Sequence, residues 1–226
     1  PLRELHYRKQ RGARIYFLHR DTAKASVSLV FPVGNHPRDK RPASKMFSEY
    51  FGGDMSAVVF QELREARGLA YSAWGYSSTG RLPNDDWALV GGMGTQSDKT
   101  PVALKTYLEL VRERPVDEVR LAATRESVEQ GYRASRIDPR WIVYWVQGWD
   151  RRGEASDPRP WEREQVAKLT TEEIQGFASM FQEAPVILTV VGDRDKVGLD
   201  KLREIAPVSE IKMDTVLPYG KFPKAK

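Results

Sequence analysis

The stretch FGGDMSAVVFQELREARGLAY, residues 51–71, is the most legible part of this sequence. A helix arriving from upstream stops at the paired Gly52 and Gly53. Asp54 or Ser56 is the right residue type to cap the helix that follows. Val59, Phe60, Leu63 and Ala66 then recur at helical spacing as its apolar stripe. Gly68 suits the left-handed residue that closes a helix, and Tyr71 already belongs to a strand. Arg64 and Tyr71 therefore flank one helix-to-strand junction. A guanidinium fork and a phenol converging there can grip a peptide carbonyl, or the oxyanion that develops from one. A plainer alternative stays open: a surface Arg64 paired with Glu65 or Glu62, and a half-buried sheet tyrosine.

Upstream of this junction, Arg14 to Leu18 is β-rich, and Ser26 to Val33 alternates. Val27, Leu29, Phe31 and Val33 fall on one face and Ser26 and Ser28 on the other, the pattern of a half-buried strand. Pro42 opens the helix that ends at the glycine pair. Downstream, Leu69 to Ser78 reads as a strand with Trp74 and Tyr76 on the face opposite Tyr71. Trp87 to Gly94 reads as its hairpin partner across the RLPNDD turn. Thr100-Pro101 opens a helix to Val111, Pro115 one to about Arg136, and Pro139 an aromatic one. Thr170 and Glu173 form a capping box for a helix to Phe181. The run PVILTVVG, residues 185–192, reads as a buried strand. A short helix over Leu199 to Ile205 and a strand near Ile211 close the chain. The whole of 1–226 is expected to be a single α+β domain, mainly an antiparallel sheet with helices packed on one face. Residues 1–12 are expected to be a linker or tail. The chain lacks an initiator Met, which suggests a piece of something longer.

Composition narrows the chemistry. There is no cysteine, so disulfides, thiolate nucleophiles and Cys-based zinc sites are all excluded, while the compartment stays open between cytoplasm and periplasm. The formal net charge is +5, but 36 basic residues are interspersed with 31 acidic ones. That mixture describes a solvated surface rather than a nucleic-acid footprint. No apolar run approaches the roughly 20 residues of a membrane helix. The expectation is therefore neither a nucleic-acid nor a membrane partner. The three histidines, His6, His19 and His36, stand in no H-E-x-x-H or H-x-x-E-H register, so no metal site is expected in this chain. No G-x-S-x-G is present. Gly91-Gly92-Met93-Gly94 lacks the Lys-Ser/Thr of a phosphate loop and reads as a strand end where another backbone comes close. Trp141, Trp145 and Trp149, at fourfold spacing, read as a stripe packed in the core or on a partner domain rather than as a ligand platform.

The pattern G-G-x-x-S-x-x-x-x-x-x-L-R-E-x-x-G-L-x-Y resembles the zinc-free second domain of pitrilysin-type zinc peptidases. That family includes insulin-degrading enzyme, mitochondrial processing peptidase and bacterial relatives. ASVSLVFPVGN before the pattern, and TQSDK, LTTEEIQGF and PVILTVVGD after it, follow in the family's order from about residue 13 onward. The resemblance implies a clam of two similar halves in which zinc and its water-activating Glu belong to the other half. It also implies that Arg64 and Tyr71 are lent to substrate and transition state, while Gly52, Gly53, Ser56 and Gly68 are structural. The expected partners are then a zinc-bearing peptidase domain, in the same longer chain or a separate subunit, and a peptide substrate. A purely structural subunit of the same fold is the alternative.

Overall fold

A computed structural model describes residues 2–113 and 115–216. Strands β1 (Ala13–His19), β2 (Lys24–Gly34), β3 (Ala70–Ser78), β4 (Trp87–Gln96), β5 (Val186–Gly192) and β6 (Val208–Ile211) form one sheet in the order β3-β4-β2-β5-β1-β6. The β3–β4, β4–β2 and β2–β5 pairs are antiparallel, and β1 runs parallel to both β5 and β6. The sheet is thus mixed, with the antiparallel pairs in the majority, and the glycine-flanked hairpin at the β3 end lies far from the parallel end.

The alternation in β2 decides which face is covered. Ala25, Val27, Leu29 and Phe31 are buried while Lys24, Ser26 and Ser28 are exposed. Helices α1 (Arg41–Ser48), α2 (Val58–Phe60), α3 (Thr100–Arg112) and α7 (Thr171–Gln182) touch the strands, and their apolar stripes pack against the buried side. Phe47 of α1 holds this layer together, with ring centroids 5.3 Å from Phe51, 5.7 Å from Phe177 and 5.4 Å from Phe181. β5 alternates buried and half-buried residues rather than burying both sides. Its continuous apolar run therefore reflects a central position in a sheet covered on one face only.

Helix α4 (Glu118–Ala134) starts three residues after Pro115 and is capped by Asp117, whose side chain accepts from the Arg120 amide. Helix α5 (Ile142–Arg151) follows a single tight turn over Pro139–Trp141, and α6 (Arg159–Lys168) is an element the sequence reading did not separate. The capping box at Thr170 and Glu173 is present in full. Helix α8 (Leu199–Ile205) leads into β6, and the short α9 (Met213–Val216) ends the described residues. Residues 2–11 carry no helix or strand. They are nevertheless tied down: Leu5 donates its amide to Asp85 at 2.8 Å and Tyr7 donates to Asp86 at 2.8 Å.

Candidate functional site

The junction singled out in the sequence is built from a glycine contact and two wide turns. α1 continues into a π-wound segment, Glu49–Gly53, and α2 into another, Gln61–Ala66. A Cβ on Gly52 would sit 2.6 Å from the carbonyl oxygen of Gly75 and 2.8 Å from its Cα, so only glycine lets this turn rest on β3. Neither Asp54 nor Ser56 caps α2. The N-cap is Ala57, with no side-chain bond, and Asp54 instead accepts from both the amide and the hydroxyl of Ser56. The expected cap is thus spent on an Asx turn before the helix begins.

At the other end Gly68 adopts φ +56°. Its amide donates to the Arg64 carbonyl at 3.1 Å, the bond of a left-handed helix close, and the Leu69 amide donates further back to the Leu63 carbonyl at 2.8 Å. Thr95 donates to the Leu69 carbonyl at 2.5 Å and Lys99 to the Gly68 carbonyl at 3.2 Å, pinning the turn to β4 and the segment after it. Leu63, fully buried, anchors the helix end, so the neighbouring Arg64 must point outward. Its Nε stands 3.5 Å from Glu65, and its guanidinium lies 4.8 Å from the Phe60 ring centroid. Both members of the ion pair are about half exposed, so the pair is loose and holds the guanidinium weakly. Glu62 is instead engaged with Arg67 at 3.6 Å.

Tyr71 is where the structure departs most from the sequence reading. The β3–β4 register shifts between Ala70 and Ser72, so that Ser72 opposes Gly94, Trp74 opposes Gly92 and Tyr76 opposes Val90. Tyr71 is the extra residue of a β-bulge, and a bulge turns two successive side chains to one side. Tyr71 therefore shares the open face with Trp74 and Tyr76 instead of opposing them. Its ring lies over Gly94, where an added Cβ would come within 2.5 Å of Cε2. The Trp74 ring lies over Gly92 in the same way, 2.7 Å from such a Cβ. The glycine-rich run of β4 is therefore strand interior, and what comes close to Gly92 and Gly94 is chiefly aromatic rings rather than another backbone. Lys24 of β2 completes the row, its Nζ 4.5 Å above the Tyr71 centroid. From the covered side Tyr107 of α3 donates to the Trp74 carbonyl at 2.8 Å, and burial pushes its phenol far above the usual range. No hydrogen bond or ring contact joins Arg64 to Tyr71 among the described residues.

The tryptophan series also divides. Trp149 is buried, but Trp141 is 55% exposed and Trp145 44%, and Ile142, Val143, Tyr144 and Val146 are exposed beside them. Packing in this chain's own core is thus excluded for Trp141 and Trp145. The histidines are all engaged in local contacts. His6 reaches Asp86 and Glu4, both at 3.4 Å, and the Asp86 bond raises its pKa. His19 accepts from the Arg194 amide at 3.2 Å, and His36 sits 3.1 Å from the Val33 carbonyl with its ring against Trp87. Among the described residues no three His, Asp or Glu side chains gather as a metal would need.

The fold is a mixed sheet with helices packed on one face, with a glycine-closed helix-to-strand junction and, among the described residues, no metal-ligand cluster. By sequence comparison, residues 2–128 match the family described as the peptidase M16 inactive domain, and the chain belongs to that family. An uncharacterized zinc protease of Streptomyces coelicolor is 40% identical over 67 residues, which is 30% of this chain and 15% of that protein. Among solved structures, the peptidase M16 inactive domain from Pseudomonas fluorescens superposes with a TM-score of 0.71 at 16% identity, covering 85% of this chain and 46% of that one. A protease from Helicobacter pylori gives 0.68 at 15% identity, covering 80% and 44%. The chain thus spans less than half the length of each of these relatives.

Proposed function

We propose that this chain is the substrate-holding half of a zinc peptidase, with catalysis performed by a zinc-bearing half on the same longer chain or on a separate subunit. Arg64 and Tyr71 are the residues it lends to bound peptide. The observation that carries this reading is the availability of both groups at one junction. The Arg64 guanidinium is held by a half-exposed ion pair and the nearby Phe60 ring, and the bulge delivers the Tyr71 phenol, 42% exposed, to the sheet face that the chain's helices leave open. A guanidinium donor and a phenol donor placed this way suit the carbonyl oxygen of an extended peptide and the negative charge that grows on it. A polypeptide partner also accounts for the exposed apolar residues Trp141–Val146, which form a larger continuous patch than scattered surface apolar residues do.

The test uses the intact peptidase that contains both halves. Arg64→Ala and Tyr71→Phe are expected each to lower kcat/KM on a peptide by roughly 10-fold to 100-fold, with the unfolding midpoint unchanged. Kinetics unchanged in both variants would leave the alternative, a structural subunit of the same fold.

A further inference from the structure

The open face carries a second regularity. Because Tyr71 and Ser72 share one place in the register, Tyr71, Trp74 and Tyr76 stand over β4 positions 94, 92 and 90, an even two-residue step. That step is about 6.6 Å, the repeat between same-side residues of an extended chain. The three side chains are 42%, 40% and 47% exposed, and Trp74 and Tyr76 stack with centroids 5.8 Å apart. Gly92 and Gly94 give two of these rings a flat backbone floor. The Tyr107 bond to the Trp74 carbonyl fixes that strand from below. The row also carries a cation at one end. Lys24 stands over Tyr71, and no carboxylate pairs with it among the described residues. Near Tyr76 lie Tyr7 and, hydrogen-bonded to the Tyr7 amide, Asp86.

We infer that Tyr71, Trp74 and Tyr76 form a recognition strip for an extended peptide whose aromatic or large aliphatic side chains alternate at i, i+2 and i+4, with an acidic residue at the Lys24 end. This rests on the peptide-holding role proposed above and names the substrate class for it. An alternating peptide lays its apolar side chains between successive rings, where aromatic contact adds to burial. A chain with the same composition but adjacent apolar residues turns half of them away from the strip. Lys24 sets the direction of the bound segment by attracting its acidic end.

The experiment measures binding of two dye-labelled peptides to the 226-residue chain by fluorescence anisotropy. One has phenylalanine and serine alternating between an N-terminal glutamate and a C-terminal lysine. The other has the same composition with the phenylalanines consecutive. The alternating peptide is expected to bind at least about tenfold tighter. Trp74→Ser and Tyr76→Ser are each expected to weaken it by about tenfold, whereas Trp74→Phe, which keeps a ring over Gly92, stays within about threefold. Tyr76 stands opposite Val90 rather than over a glycine, so Tyr76→Ser opens no floor and tests the strip even if Trp74→Ser fails to fold. Equal affinity for the two peptides, or indifference to both serine variants, overturns the strip while leaving the role of Arg64 and Tyr71 to its own kinetic test. Absence of binding by either peptide likewise overturns the strip and leaves that kinetic test standing.

Discussion

The two faces of the β3–β4–β2 sheet are made by the same strands and are opposite in character. On the covered face Val27, Leu29, Phe31 and Leu89 are at most 2% exposed, and α1, α3 and α7 close over the layer. On the open face the same strands present Lys24, Ser26 and Ser28 and the three rings of β3. The covered face is held by close packing, where each methylene has neighbours on all sides. The open face is held by little beyond backbone pairing and the glycines beneath the rings, so its side chains are free to serve a ligand. What separates the two is position along the strand, modulo two, and a single bulge is enough to reassign a residue from one to the other.

The contrast can be broken from the covered side first. Leu29→Ala, at a fully buried position, is expected to cost about 3 kcal/mol in denaturant unfolding; a loss below about 1 kcal/mol would mean that the layer is not close-packed. Gly52→Ala puts a methyl against the Gly75 backbone, and about 2 kcal/mol is expected because neither backbone can easily give way. Glu154 fastens the start of α1, accepting from Arg38 at 2.8 Å on both carboxylate oxygens and from Arg41 at 2.9 Å. The Arg38 bond, working against burial, holds the Glu154 carboxyl below its usual range. Its contribution is therefore present above pH ~4.3 and is lost as pH falls through the lower folded value. Glu154→Gln should cost about 2 kcal/mol at neutral pH and flatten the acid limb of a stability-versus-pH curve; an unchanged acid limb would count against the pair. Smallest of all, Tyr76→Ser on the open face should move stability by no more than about 0.5 kcal/mol, which sharpens the contrast because the same change is expected to weaken peptide binding strongly.

Much of this was readable in the chain itself. The alternation of Val27, Leu29 and Phe31 against Ser26 and Ser28 is local and carries its own period, so β2 and its buried face were legible. The same holds for the capping box at Thr170 and the Gly68 close, where residue type fixes backbone geometry. Asp54 was legible as a cap by type but not by place, since its side chain bonded Ser56 first. The tryptophan stripe was misjudged as far as this chain's own core is concerned: helical spacing shows that Trp141 and Trp145 share a side with Trp149, but not whether anything stands opposite. The aromatic row was missed because its signal is distributed over two strands, alternate rings at Trp74 and Tyr76 and alternate glycines at Gly92 and Gly94.

The sequence by itself determined most of the strands and helices, the covered face of β2 and the junction at residues 63–71. These rest on local periodicity, on residue types whose backbone preferences are their own, and on motifs that are contiguous. Only the tertiary structure decided that Tyr71 joins Trp74 and Tyr76 on the open face, that Lys24 stands over it, and that Trp141 and Trp145 lie outside the core. Register between strands and the placing of one layer on another depend on contacts between residues far apart in sequence, and no local preference encodes a one-residue bulge.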